Sequence, residues 1–403
     1  MKKRIILFFM VLVLVMAFVG CNMLSVNEER DGKQVVATVN GDKIYKSVVL
    51  NNAKTYLGQY GYTEDLEDYG YYMDQIMQQL LEEEIKYTIF NQKCDEFGVE
   101  KITADQKAEI ETMRSVLFEN MNKIANNNFP EDEYPDAAER EALVKEYAEN
   151  RLAEYGYYDG SYDDSFSNSY LVDNLVAYLT KDYAPSDEDL REFYDNELAD
   201  QKRVLENSYD QLDSLESTSV LVYVPEGIRY VRNLLIAIPD EVRDEIESLR
   251  SSGDSAAADA LRDEELAKLK DKVDEAYHAA TSDFDSALES YGEDPGMKNE
   301  TLAKTGYRIY KNNASYDSVF VETGMGLVSV GDISEPTASD FGYYIIEYTS
   351  DMQAGEVPFD DVKDEILTHM ISKNETETLN VNLGFWLEDS EIVRYEKRLK
   401  YID

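Results

Sequence analysis

The sequence predicts an α+β fold: a mostly helical body with one small domain of antiparallel sheet and helices inserted into it. Three observations predict it. Apolar residues recur every third or fourth position from 63 to 97 and again from 186 to 198, the period of a helix with one buried face. The period changes at Val220, where Val220–Val224 and Ile228–Ile238 alternate or run continuously apolar, as strands do. Helical spacing returns after residue 351, through Ile366, Leu367, Met370 and Ile371.

In chain order, Lys2, Lys3 and Arg4 precede fifteen uninterrupted apolar residues, Ile5–Val19, and then Gly20-Cys21. The run is short for a membrane-spanning helix, which needs about 20 residues. It resembles a bacterial lipoprotein signal with the lipobox Phe18-Val19-Gly20-Cys21. That resemblance implies a signal peptide over 1–20, lipid on the sulfur of Cys21, and a body held at the cell membrane on its extracytoplasmic face. An uncleaved membrane anchor is the alternative. Residues 21–34 are polar and read as a tether.

Val35–Val39 is a β-branched run, Asn40-Gly41 a turn signal, and Asp42–Ser47 leads into a helix. The string VVATVNGDKIYKSVV resembles the opening of the SurA and PrsA class of extracytoplasmic foldases, whose chaperone domain starts with a strand, an Asn-Gly turn and a helix. Met73, Met77, Leu80, Leu81, Ile85 and Ile89 place one amphipathic helix over 63–97, ended by Gly98. Its methionines suit a packed core face, or an adaptable client groove. Cys94 on this helix reads as a buried structural thiol. Thr103 and Gln106 form a capping box, and FGVEKITADQKAEIE resembles the same family's helix–turn–helix passage.

Residues 126–170 read as an acidic, tyrosine-bearing excursion around a short helical stretch. Its Asp159, Asp163 and Asp164 miss the EF-hand spacing, and its tyrosines suit contact with extended peptides. Ser186–Asp189 caps a further helix, and APSDEDLREFYDNEL resembles the family's lead-in to its isomerase domain. The amino-terminal part of the chaperone domain is therefore expected over 35–225.

Residues 226–350 read as a strand (IRYVRNLLIAI), a helix over 240–278, a short helix from Asp283 to Ser290, the turn YGEDPG, and a closing strand GYYIIEY. VGDISEPTASDFGYYIIEY resembles the end of a parvulin-type peptidyl-prolyl isomerase, a sheet-and-helix domain of the FKBP-type superfold. The resemblance implies two core histidines and a Cys or Asp near the rotating bond. Asn233 stands in the first histidine slot and Tyr344 in the second. The Cys or Asp slot falls on Phe284, with Asp283 or Asp285 as substitutes one residue away. Asn233 and Tyr344 could hydrogen-bond each other as neutral replacements. Phe284, Phe320, Met325 and Leu327 are the candidates for a peptide-binding surface. Residues 351–403 are expected to complete the helical chaperone domain.

Composition removes other classes. With 83 acidic against 39 basic residues the net charge is −44, which repels nucleic acid. Two cysteines and two histidines, His278 and His369, supply no metal site, and no cofactor is implied. The expected partners are unfolded or newly secreted polypeptides and, through the lipid, the membrane. The expected function is a foldase with weak or absent isomerase activity. An active isomerase working through altered residues is the first alternative, and a solute-binding lipoprotein the second.

Overall fold

The computed structural model describes residues 28–66, 68–154, 161–206 and 209–402. Cys21 and the lipobox lie outside the described residues, as do Asp159 and the side chains of Asp163 and Asp164. The chain divides into two compact units, one of residues 1–183 and 373–403 and one of residues 184–372.

The first unit opens with helix α1 (Glu28–Gly32), strand β1 (Val35–Val39) and strand β2 (Asp42–Tyr45). Residues 28–34 are thus folded onto the unit, a correction to the tether expected over 21–34. Asn40 and Gly41 both take positive φ, 51° and 94°, as a two-residue hairpin between right-twisted strands requires. Strand β1 is central in its sheet, flanked by β2 and by the strand Ile392–Arg394, both antiparallel to it. Asn40 fixes that return of the chain, because its Oδ1 accepts the Glu391 N–H at 2.8 Å and its own N–H reaches the Glu391 carbonyl at 2.9 Å.

Helix α2 (Lys46–Gln59) packs on α3 (Tyr69–Phe97). Helix α3 begins at 69, not 63, because the chain turns at Gly61 (φ 76°) and again over Thr63–Leu66 before it. It ends at Gly98 in the left-handed conformation. Met73, Met77, Leu81, Ile85, Ile89 and Cys94 are all buried in one core with Val36, Val49, Leu175 and Trp386, so the methionine face is core. Burial pushes the Cys94 thiol up from its usual range.

The capping box at Thr103 is formed, and α4 (Ala104–Asn128) follows. The expected excursion over 126–170 is instead largely helical, as α5 (Ala137–Glu154) and α6 (Ser161–Thr180). Met121 and Ala125 of α4 pack against Val144 and Ala148 of α5, and α6 sends Leu171 and Leu175 into the main core. Sparse apolar residues with tertiary partners here outweigh the poor helix propensity of Asn, Asp and Tyr.

In the second unit, Ser186 and Asp189 form the capping box of α7 (Asp187–Leu205), which is followed by α8 (Leu212–Thr218). Leu190, Tyr194, Val220, Val222, Phe359 and Ile366 share a core, so this compact unit extends well beyond 226–350 on both sides. Strand β3 (Tyr223–Val224) pairs with β8 (Gly355–Glu356). The main sheet has the order β5–β4–β7–β6, with β4 Arg229–Ala237, β5 Tyr307–Ile309, β6 Thr337–Ser339 and β7 Gly342–Asp351, antiparallel throughout.

The single helix expected over 240–278 is two, α9 (Asp240–Ser251) and α10 (Ser255–Ser282), parted by Gly253 at φ 85°. Helices α11 (Phe284–Tyr291) and α12 (Glu300–Thr305) come next, then α13 (Ser318–Gly326). Strand alternation sends Leu234, Ile236 and Ile345 to one face, against Val273, Ala276 and Phe284. Val231, Leu235, Tyr344 and Ile346 go to the other, against Phe320 and Val321 of α13. The last long helix, Phe359–Asp389, is continuous. Among the described residues no helix is long and apolar enough to cross a membrane.

Candidate peptide groove in the second unit

On the α13 side of the sheet lies a groove of about 320 Å³, at the lower end of the size range of small-ligand sites. Asn233 of β4 and Tyr344 of β7 both line it. They stand on neighbouring strands, two residues out of register, since Asn233 pairs with Ile346 and Leu235 with Tyr344. Asn233 is 3% exposed, and its amide donates to Asp294 Oδ2 at 2.7 Å. The bond between Asn233 and Tyr344 considered from the sequence is therefore replaced by one to a carboxylate. Asn233 Oδ1 is buried without a hydrogen-bond partner.

Asp294 organises the groove floor. Its Oδ1 accepts the Tyr307 hydroxyl at 2.8 Å and the Gly296 N–H at 2.8 Å. The Gly296 contact closes a turn two residues long, the kind of local bond Asp readily makes before Pro-Gly. Burial first, and the Asp294 carboxylate second, hold the Tyr307 hydroxyl well above the usual phenol range. Burial does the same to Tyr344. Phe320 forms the apolar wall, its ring 5.6 Å from that of Tyr344, 5.7 Å from Tyr316 and 5.8 Å from Tyr307. These spacings are those of edge-to-face aromatic packing.

The other site residues expected from the sequence lie elsewhere. Asp283 is the N-cap of α11, and its bonds from the Ser286 hydroxyl and N–H hold its carboxyl below the ordinary range. Asp285 is exposed and paired with Arg232. Phe284 is buried in the helix-side core with the Arg232 guanidinium 5.1 Å above its ring. None of the three lines the groove. Met325 and Leu327 are half-buried against the α13-side core, and neither lines the groove as Phe320 does. Their carbonyls accept from Arg229 at 3.3 and 2.8 Å.

His278 is exposed, and His369 is half-buried beside Phe193 at 5.4 Å. Neither lines the groove. Asp294 and Tyr307 are the residues that sequence reasoning missed. The signal for Asp294 was the run Gly292-Glu-Asp-Pro-Gly296, a turn aimed back at the first strand.

The chain thus joins a strand–turn–helix helical unit to an antiparallel sheet unit with an aromatic groove. A family model for the SurA-like N-terminal domain matches residues 1–154. The foldase protein PrsA of Clostridium perfringens is 23% identical, the match covering 99% of this chain and 97% of the relative. PrsA of Clostridium botulinum is also 23% identical, over 96% of each chain. A crystal structure of PrsA from Streptococcus pneumoniae aligns at 13% identity with a TM-score of 0.30, covering 88% of this chain and 93% of that one. Over nearly its whole length the chain is similar to foldases of the PrsA type, and its first 154 residues to the SurA-like N-terminal domain.

Proposed function

We propose that this foldase works outside the cytoplasm, anchored by lipid on Cys21. In this reading the helical unit holds unfolded secreted chains, and the second unit binds prolyl segments with weak turnover. The lipobox supports the anchor, and the similarity to PrsA foldase proteins supports the foldase role. The observation that carries the reading of the second unit is an aromatic groove whose two histidine slots hold Asn233 and Tyr344.

Rotation about an X–Pro bond faces a barrier of about 20 kcal/mol because amide resonance must be broken. The twisted amide is less polar than the planar one, so an apolar wall such as Phe320 favours it over the ground state by solvating both poorly. Asn233 and Tyr344 supply neutral hydrogen-bonding groups beside that wall. The carboxylate of Asp294 holds Asn233 and Tyr307 in place. This network also favours the second reading, an active isomerase with altered residues, in which turnover depends on the side chains around Asp294. The antiparallel sheet gives no support to the solute-binding reading, which calls for parallel βα repeats.

The test uses the full chain. It should suppress aggregation of an unfolded model protein and bind a proline peptide, with Phe320→Ala weakening that binding about tenfold or more. Turnover, where measurable, should stay level from about pH 7.5 to pH 5.5, the range in which an imidazole would gain a proton. Absence of aggregation suppression overturns the holding role. Proline-peptide binding that survives Phe320→Ala overturns the groove. The anchor is tested separately: acyl label should appear on the wild-type chain in the membrane fraction and disappear with Cys21→Ala. Label that persists in the variant rejects it.

A further inference from the structure

Helices α2 and α3 meet at a turn that leaves aromatic rings in solvent. Tyr56, Tyr60, Tyr71 and Tyr72 are 43%, 65%, 64% and 38% exposed, and Leu66 between them is 45% exposed. The rings form two groups. Tyr56 and Tyr60 lie 5.1 Å apart, and Tyr72 lies 5.0 Å from Tyr62 and 5.7 Å from Tyr71. Gly61 turns the chain between the groups at φ 76°. Exposed, clustered rings of this kind mark interaction surfaces, because nothing in a helical hairpin's own packing requires them.

The surrounding charge says what they receive. Asp65 and Asp68 are exposed and have no ion-pair partner among the described residues, whereas Glu64 is paired with Lys54 at 3.0 Å. Tyrosine faces are electron-rich and attract ammonium and guanidinium groups, an attraction that adjacent free carboxylates reinforce. A second copy of this chain, with net charge −44, would bring like charge against like. Long basic side chains suit the surface in another way, since their aliphatic stems can lie on Leu66 and the ring edges while their heads stay in water.

We propose that the tyrosine cluster Tyr56, Tyr60, Tyr71 and Tyr72, with Asp65 and Asp68, is a docking surface for extended, lysine- and arginine-bearing segments of unfolded polypeptides. The proposal rests on the foldase reading for its occupant and deepens it by giving the client's chemistry and seat. Tyr is suited to the task because it offers large contact area at low conformational-entropy cost.

The probe is a fluorescent, proline-free, extended peptide of Arg, Ser and Leu, with a twin carrying Glu in place of Arg. Anisotropy is measured with the full chain at low and high salt. The Arg peptide should bind, more weakly as salt rises, and about tenfold more weakly to Tyr60→Ser/Tyr71→Ser. Asp65→Asn/Asp68→Asn should remove most of the salt dependence, and the Glu peptide should bind at least about tenfold more weakly than the Arg peptide. Unchanged emission from Trp386, buried in the same unit, verifies that the variants fold. Equal binding of the Arg peptide to the tyrosine variant, or equal binding of the two peptides, overturns the proposal. Aggregation suppression by the wild-type chain separates the two ideas. Suppression together with unaffected peptide binding in the variants sinks the surface alone, whereas tyrosine-dependent binding without suppression sinks the foldase reading alone.

Discussion

Truncation of Lys46 to alanine should destabilise the first unit by about 3–5 kcal/mol, the cost of leaving a buried ion without its partner. Lys46 is 1% exposed at the start of α2. Its ammonium lies 2.5 Å from Asp31 Oδ2 and 2.5 Å from the Lys400 carbonyl. It therefore ties α1 and the carboxy-terminal segment to the same point. Without it, Asp31, only 11% exposed, keeps a bond from Gln34 and loses its cation.

Urea unfolding followed by Trp386 emission reads the change, because the chain's single tryptophan is buried in this unit against Phe90 and Phe97. The companion Lys46→Met/Asp31→Asn should recover more than half of the loss, since removing both charges abolishes the desolvation penalty. A midpoint for Lys46→Ala within about 0.5 kcal/mol of wild type would show that the ion pair is idle.

Lys46 also illustrates what a sequence conceals. A lysine after a short strand reads as a helix's solvent face, and only the return of the chain 354 residues later makes it a core residue. Features set by neighbouring residues were legible. The Asn40-Gly41 turn, though not the strand Asp42–Tyr45 after it, the capping boxes at Thr103 and Ser186, and the four-residue apolar spacing of α3 depend on local backbone and side-chain geometry.

Features set by distant partners were not. Helices α5 and α6 have weak local propensity and form where Val144, Ala148, Leu171 and Leu175 find partners. The strand Ile392–Arg394 exists because β1 offers an edge. The groove divides the same way. Asn233, Phe320 and Tyr344 could be placed through the resemblance of VRNLLI and VGDISEPTASDFGYYIIEY to a parvulin-type isomerase. The acid could not, because a helix cap such as Asp283 and a turn residue such as Asp294 look alike until the turn folds under β4.

Replacing Asp294 with leucine should therefore be the most damaging change in the groove. It removes the acceptor for the buried Asn233 amide and the half-buried Tyr307 hydroxyl and leaves both donors unpaired, at about 1–3 kcal/mol each. The Asn233 Oδ1 already has no partner, so that side chain would keep no hydrogen bond at either end. With two compact units, one global unfolding midpoint does not isolate this loss. Amide hydrogen exchange does: peptides from Arg229–Ala237 and Gly342–Asp351 should exchange roughly 30-fold faster or more, while those from α3 keep their protection. Asp294→Asn retains an acceptor and the side-chain shape, and should show a smaller change. It also separates positioning from chemistry. If Asp294 acts only by holding Asn233 and Tyr307, Asp294→Asn lowers proline-peptide binding in step with its loss of protection. Turnover abolished with protection and binding intact would make the carboxylate itself part of the reaction. Wild-type exchange in the leucine variant would mean that the groove floor does not depend on Asp294.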